Sequence, residues 1–256
     1  MTNPTTELPK IICISLIEEK DRRTFMRSQF NAIGANFRFL DAIRPNLSHG
    51  FPAMYDRKAR LSYSLVDLRN GEIGCYISHR QAWIEFLATS DEICCIFEDD
   101  VAIGDGFNET VLSLCEKRTD WDIVRLCGTF KRPHRQLRQL HDAHYLVDYT
   151  KRQPSGLVGY LLNRAAAKKL LEHTARMIHP IDDSVDREWE HRLRLRGVES
   201  PVLCLSDLFA SGIGERGARN TNIKNKISRE LFRVPSNIRK QFWNFKKFLR
   251  YLFSMP

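Results

Sequence analysis

Lys10-Ile-Ile-Cys-Ile-Ser-Leu16 is a short apolar run rich in β-branched residues, the pattern of a buried strand. Charges follow from Glu18 to Arg23, and Phe25, Met26, Phe30 and Ile33 then recur at helical spacing, predicting a helix that ends near Gly34. Phe37-Arg-Phe-Leu40 reads as a second strand, which makes a strand–helix–strand opening, the usual start of a doubly wound α/β sheet. Residues 44–70, with Pro45, His49-Gly50 and Pro52, read as a long loop or a small helical insertion. From Glu72 to Leu87 a helix is predicted, with Ile73, Tyr76, Ile77, Ile84 and Leu87 on its apolar face. Ile93-Cys-Cys-Ile-Phe97 is continuously apolar, as a central strand covered on both faces should be, and it ends in Glu98-Asp99-Asp100.

Further strands are predicted at Asp122–Leu126, Tyr145–Val147 and Leu157–Leu162, with Asn163 capping the Ala- and Leu-rich helix that follows. A second helix is expected from Asp183 to Arg196, with acids at its start, arginines at its end and Gly197 closing it. Val198–Leu205 reads as a returning strand, and no internal repeat is visible.

Composition narrows this picture in three ways. The 256 residues, 43% of them hydrophobic, suffice for one domain with a modest appendage. The net charge of +9 is unevenly spread: residues 224–256 hold nine Lys and Arg against Glu230 alone, so the body is close to neutral. The seven cysteines are an odd number without Cys-x-x-Cys or zinc spacing, which suits reduced, buried side chains. The first ten residues lack a leader pattern and no apolar stretch reaches the length of a membrane span, so a cytoplasmic protein is expected.

Three adjacent carboxylates at the end of a buried strand are costly unless something neutralises them. In open α/β sheets the carboxyl ends of strands are where ligands bind, and hard Mg²⁺ or Mn²⁺ suits carboxylate oxygens and phosphates together. Strand alternation sends Asp99 to the side opposite Glu98 and Asp100. A solvated acidic turn remains the plain alternative.

The neighbours of the triplet make it specific. Gly71-Glu-Ile-Gly-Cys-Tyr-Ile-Ser-His79 lies upstream, and Gly156-Leu-Val-Gly-Tyr160 and His179-Pro-Ile-Asp182 lie downstream. With Ile14-Ser-Leu16 and Arg22-Arg23, this ordered set resembles glycosyltransferase family 25, which includes bacterial lipooligosaccharide galactosyltransferases, from about Ile11 to Ile213. The resemblance implies a GT-A-like α/β fold with a mostly parallel central sheet flanked by helices. It also implies a UDP-sugar donor (UDP-galactose most often), Mn²⁺ or Mg²⁺, and inversion at the anomeric carbon. On that basis Asp100 is the expected direct metal ligand, with Glu98 beside it, and Glu98 and Asp99 orient the donor. Phe97 stands where an aliphatic residue is commoner in the family.

Asp182 is the expected catalytic base, with Asp183 second and Asp186 behind them, although acids at a helix start often act only as caps. Ser15 and Leu16 are expected to line the uridine pocket, Arg23 to meet a phosphate, and Ser78 and His79 to approach the donor. Gly156 permits a close backbone approach to a ligand or simply tight packing, and Glu72 a cap or a sugar contact.

Ile238, Phe242, Phe245, Leu249 and Leu252 form one apolar stripe in the basic tail, with Arg239, Lys240, Lys246, Lys247 and Arg250 on its flank and opposite side. A cationic helix of this kind suits an anionic membrane surface, against docking on the body or a dimer contact. No nucleic-acid-binding module accompanies the charge. The expected organisation is a domain over residues 8–222 and an amphipathic tail over 223–256. Its expected setting is peripheral, on the inner face of a bacterial inner membrane, acting on a lipid-linked saccharide; oligomeric assembly stays open. A metal-dependent sugar or phosphate hydrolase and a non-catalytic assembly module are the competing readings.

Overall fold

In the computed structural model, which describes residues 7–127, 132–206, 208–209 and 223–253, the chain opens as its apolar pattern predicts. β1 (Ile11–Ser15), α1 (Lys20–Ala32) and β2 (Phe37–Asp41) are followed by α2 (Arg57–Ser64) and α3 (Asn70–Leu87). Next come β3 (Ile93–Glu98), β4 (Val101–Ile103), α4 (Phe107–Glu116), β5 (Ile123–Arg125), β6 (His134–His141), β7 (His144–Tyr149) and β8 (Gly159–Asn163). α5 (Arg164–His173), α6 (Ile181–Val185), α7 (Glu188–His191), β9 (Leu195–Glu199), β10 (Leu203–Leu205) and α8 (Ile223–Phe253) complete the chain. The expected domain boundary at residue 222, and Ile213 where the resemblance ends, lie outside the described residues.

Eight strands form one sheet in the order β2-β1-β3-β8-β5-β9-β7-β6. Following the pairings outward from β1, only β8 and β7 run against the other six, so the sheet is mostly parallel in strand direction. β4 and β10 make a separate antiparallel pair. Alternation along β1 and β3 feeds two cores. Ile12, Ile14, Cys94 and Ile96 face α3 and α5, whereas Ile11, Cys13, Cys95 and Phe97 face α1 and α4. From β1 the chain crosses to β2 on one side and later to β3 on the other. The carboxyl ends of β1 and β3 therefore meet at the point where strand order reverses, the place such sheets reserve for ligands.

Three expectations need correction. The buried stripe of α3 runs through Ile73, Tyr76, His79, Trp83 and Phe86, while Ile84 is 46% exposed. Spacings of three and four hold for the observed stripe too, but it includes a histidine and a tryptophan that hydrophobicity alone does not select. The helix expected from Asp183 to Arg196 is instead α6 and α7, then a turn through Arg192 in left-handed conformation (φ 60°), then β9. Gly197 lies inside β9 rather than capping a helix, because a Cβ there would come within 2.5 Å of the Tyr149 ring across the strand pair. The run 198–205 is likewise split, into the end of β9 and β10.

The turn after α7 is held by His191. Its Nδ1 accepts from Leu193 N–H at 3.0 Å and its Nε2–H donates to the Val185 carbonyl at 2.8 Å, so the uncharged ring is fully bonded. Burial, joined by nearby His173 and Lys169, pulls its pKa down to about 4. Below the unfolded value near 6.5 the unfolded chain takes the proton and the folded one does not, so this contribution is present above that pH and is lost on acidification. In urea denaturation, the stability gap between wild type and His191→Asn is expected to narrow by about 2 kcal/mol from pH 6.5 to pH 5. A gap independent of pH would contradict this assignment.

Candidate active site

β1 ends at Ser15 and β3 at Glu98, paired so that Ile14 lies beside Glu98. The cavity at these two ends has a volume of about 510 Å³, within the range of nucleotide-sized ligand sites. Ser15, Leu16, Ser78, His79, Glu98, Asp99 and Asp100 all line it.

Each carboxylate of the triplet has a different environment. Asp99 turns toward β1 and α1. Ser15 Oγ donates to its Oδ2 at 2.6 Å, and Arg22 Nη1 to its Oδ1 at 3.0 Å. Glu98 turns the other way, toward α3, where its Oε1 lies 3.0 Å from His79 Nε2 and 3.5 Å from Cys75 Sγ. Burial alone would raise the Glu98 carboxyl, but the His79 bond, the Cys75 thiol and the Arg22 charge outweigh it and hold the group below its usual range. Asp100 has no such support: its Oδ1 is buried without a partner. Burial first, then Glu98 and Asp99, push its carboxyl up to about 6 against the pull of Arg22.

Behind Glu98 runs a buried relay. Trp83 Nε1–H donates to Tyr160 Oη at 2.8 Å, and Tyr160 Oη lies 2.9 Å from His79 Nδ1. One proton arrangement satisfies every atom: the tryptophan donates to tyrosine, tyrosine to Nδ1, and Nε2–H to Glu98. Cys75, His79 and Glu98 also have the composition of a metal-ligand set, with ligand atoms within 4.8 Å of one another. The relay, however, leaves a proton rather than a lone pair on Nε2, so it supports positioning of Glu98 instead.

The Gly71–His79 motif is legible atom by atom. A Cβ on Gly74 would lie 2.4 Å from the Ile43 carbonyl, so only glycine allows α3 to approach the loop after β2. Ser78 Oγ secures that approach by accepting from Ile43 N–H at 2.8 Å. Glu72 caps its own helix, accepting from Arg69 N–H at 2.9 Å, and does not line this cavity.

Other expected residues lie elsewhere. Arg23 does not line the cavity; it bonds the carbonyls of Ser15 and Leu16 and pairs with Asp41 at 2.6 Å, fixing the exit of β1. Its neighbour Arg22 takes the inward place, by helical geometry that the doubled arginine does not reveal. Gly156 adopts a left-handed turn (φ 86°) ahead of β8 and is not among the cavity residues. Asp182, the expected base, is not among the residues that line this cavity; its charge adds to the push of burial and Glu98 on the buried Cys75 thiol and also helps raise Asp186. Asp183 faces a second cavity together with Asp186. Asp186 pairs with Arg125, a 2% exposed residue of β5 whose Nε and Nη1 have no partner. Burial, with Asp182 and Asp183 adding, pushes Asp186 up to about 7 against Arg125. Sequence pattern assigns no role to Cys75 or Arg125, marks Arg22 only within the Arg22-Arg23 pair, and offers Asp186 only as the third candidate base.

Replacing Tyr160 by Phe strands two buried partners, the Trp83 N–H and His79 Nδ1. Unfolding is expected to become easier by about 2–4 kcal/mol, measured by urea titration, since each buried unsatisfied group costs about 1–3 kcal/mol. A change below 0.5 kcal/mol (roughly the noise of such measurements) would show that the relay is not maintained.

Comparison with known proteins follows the same residues. The signature of Glycosyltransferase family 25 (LPS biosynthesis protein) matches residues 8–185. A putative glycosyltransferase of Haemophilus influenzae is 29% identical over 245 residues, spanning 86% of this chain and 83% of its own. The lacto-N-neotetraose biosynthesis glycosyltransferase LgtB of Neisseria meningitidis is 26% identical, spanning 76% and 74%. Procollagen galactosyltransferase 1-A of Xenopus laevis is 25% identical, spanning 68% of this chain and 30% of its own.

Proposed function

The chain belongs to glycosyltransferase family 25, and we propose that it moves a hexose, galactose by preference, from a UDP-sugar to a lipid-linked saccharide of the lipooligosaccharide type, with inversion. The observation that carries this reading is the asymmetry of the triplet. Glu98 and Asp99 are held by neighbouring side chains, whereas Asp100 keeps a buried oxygen without a partner and an elevated pKa. A divalent cation fits that defect, and Asp100 and Glu98 are the residues that would hold it. When bound, Mn²⁺ or Mg²⁺ supplies positive charge to a diphosphate leaving group. The names of the relatives support a saccharide acceptor and, for the procollagen enzyme, galactose.

The chain's own residues divide the work. Ser15 and Leu16, at the end of β1, line the cavity where a nucleoside would lie, and Arg22 with Ser15 fixes Asp99 toward donor hydroxyls. Asp182 takes the proton of the acceptor hydroxyl as its oxygen attacks the anomeric carbon, and the bond from that carbon to the phosphate oxygen breaks with the electron pair leaving on UDP. Asp183 is the second choice for that base.

The tail belongs to the same picture. Ile238, Phe242, Phe245 and Leu252 are each more than half exposed, so the apolar stripe of α8 faces outward, with Arg239, Lys246 and Arg250 beside it. No helix among the described residues is long and apolar enough to cross a membrane. We take the stripe as the contact that holds the enzyme on the cytoplasmic leaflet of a bacterial inner membrane.

Two experiments test these statements. UDP release measured across a panel of sugar nucleotides should be metal-dependent, select one donor, rise when a saccharide acceptor is added, and fall at least 100-fold in Asp100→Ala. Release that ignores acceptor would favour a hydrolase, and no release with no metal-dependent UDP binding a non-catalytic module. In sedimentation with anionic liposomes, the full chain carrying Phe242→Ser, Phe245→Ser and Phe248→Ser should bind at least tenfold more weakly than wild type. Equal binding would remove the membrane role of the tail.

A further inference from the structure

A second cavity, of about 310 Å³, opens between α6, α7, the segment around residues 149–155 and α8. Its floor is acidic and its rim cationic. Asp183 and Asp186 line the floor; Lys151, Arg152 and Lys240 line the rim, and none of these three cations forms an ion pair among the described residues. Lys240 is partly buried, with its Nζ 4.9 Å from the centroid of the Trp189 ring. Burial, then the charges of Arg152 and Arg187, pull its ammonium below the ordinary lysine value against the opposing charges of Asp186 and Asp183. Arg187 itself is occupied by Glu190, at 2.6 Å. Gln153, 8% exposed, gives its Nε2–H to Glu188 at 3.3 Å and keeps a buried Oε1 without a donor.

These features describe a ligand. Cations at the rim that form no ion pair call for an anionic group, and the stranded Gln153 oxygen calls for a hydroxyl. α6 contributes Asp183 to this cavity, next in the chain to Asp182, the base proposed above. Resting on the transferase reading, we propose that this cavity is the acceptor subsite and that it takes an anionic saccharide, one bearing a phosphate or carboxylate near the hydroxyl that is glycosylated. The rim anchors the charged group, and the acidic floor lies beside the reacting hydroxyl.

The test uses the full chain and glucose 6-phosphate as probe, with neutral methyl glucoside and inorganic phosphate as controls. The four tryptophans give four indole N–H signals in a ¹⁵N correlation spectrum, and Trp189→Phe assigns the one at this cavity. Glucose 6-phosphate should shift the Trp189 signal saturably, and methyl glucoside at the same concentrations should not. Arg152→Glu, at an exposed position, should weaken the glucose 6-phosphate response at least tenfold while leaving metal-dependent UDP binding in the other cavity within twofold. An equal response to methyl glucoside, an unchanged response in Arg152→Glu, or inorganic phosphate binding as tightly as the sugar phosphate would overturn the proposal. Absence of UDP binding in the wild type would instead fail the donor reading, and the sugar phosphate titration would still decide this one.

Discussion

The bond from His79 to Glu98 is the interaction on which the site depends. It joins α3 to the carboxyl end of the central strand, and it holds only because Tyr160 of β8 and Trp83, one turn further along α3, fix the imidazole from behind. The relay crosses three elements, α3, β3 and β8, and its links among Trp83, Tyr160 and His79 are buried. In such a setting a hydrogen bond to a carboxylate contributes about 1.5–3 kcal/mol, and leaving any member unpaired costs a similar amount. The same bond decides the charge of Glu98, since burial by itself would favour the neutral acid.

With Glu98 fixed on one side and Asp99 fixed by Ser15 and Arg22 on the other, the strand end divides three identical charges into two compensated ones and one that is not. Mutual repulsion falls on Asp100, which has nowhere to send its buried oxygen. Folding stability alone would favour a neutral side chain there, because an uncompensated buried carboxylate is a net cost. The divalent cation proposed for this site would relieve that cost.

The parts of this arrangement that follow from local pattern are legible in the sequence. The opening β1-α1-β2, the buried strand running into the triplet, the Asn163 cap (whose Oδ1 accepts from Ala166 N–H at 2.8 Å) and the outward apolar stripe of the tail are all set by period, propensity and capping chemistry. Residues whose meaning depends on a distant partner are not legible. Cys75 reads as a small hydrophobe until Glu98 is placed beside it, and Arg125 as a strand residue until Asp186 is. The failed helix from 183 to 196 has the same cause. Its arginines and glycine satisfy helix rules, but β5 and β7 recruit residues 195–199 into the sheet, and pairing on both sides outweighs propensity.

α8 reverses the usual amphipathic rule, and that reversal connects the tail to the site. A helix that merely docks on its own domain buries its apolar face and leaves its charges in water. Here Lys247, 7% exposed, reaches Asp148 at 2.7 Å and Glu188 at 3.1 Å, with Arg196 balancing Asp148 at 3.1 Å, while Ser236 accepts from Arg187 at 2.6 Å. The polar face is the docked one, and the phenylalanines point away. Burying a lysine against two acids gains little over an apolar contact of the same area, but it fixes the rotation of the helix. That rotation places Lys240 and Asn244 in the wall of the second cavity and Phe242 and Phe245 on the opposite, outer side. One helix therefore contributes both to the wall of the second cavity and to an exposed apolar surface. The lipid-linked acceptor proposed above would require both, since its sugar must reach the carboxylates of α6 while its lipid stays in the bilayer.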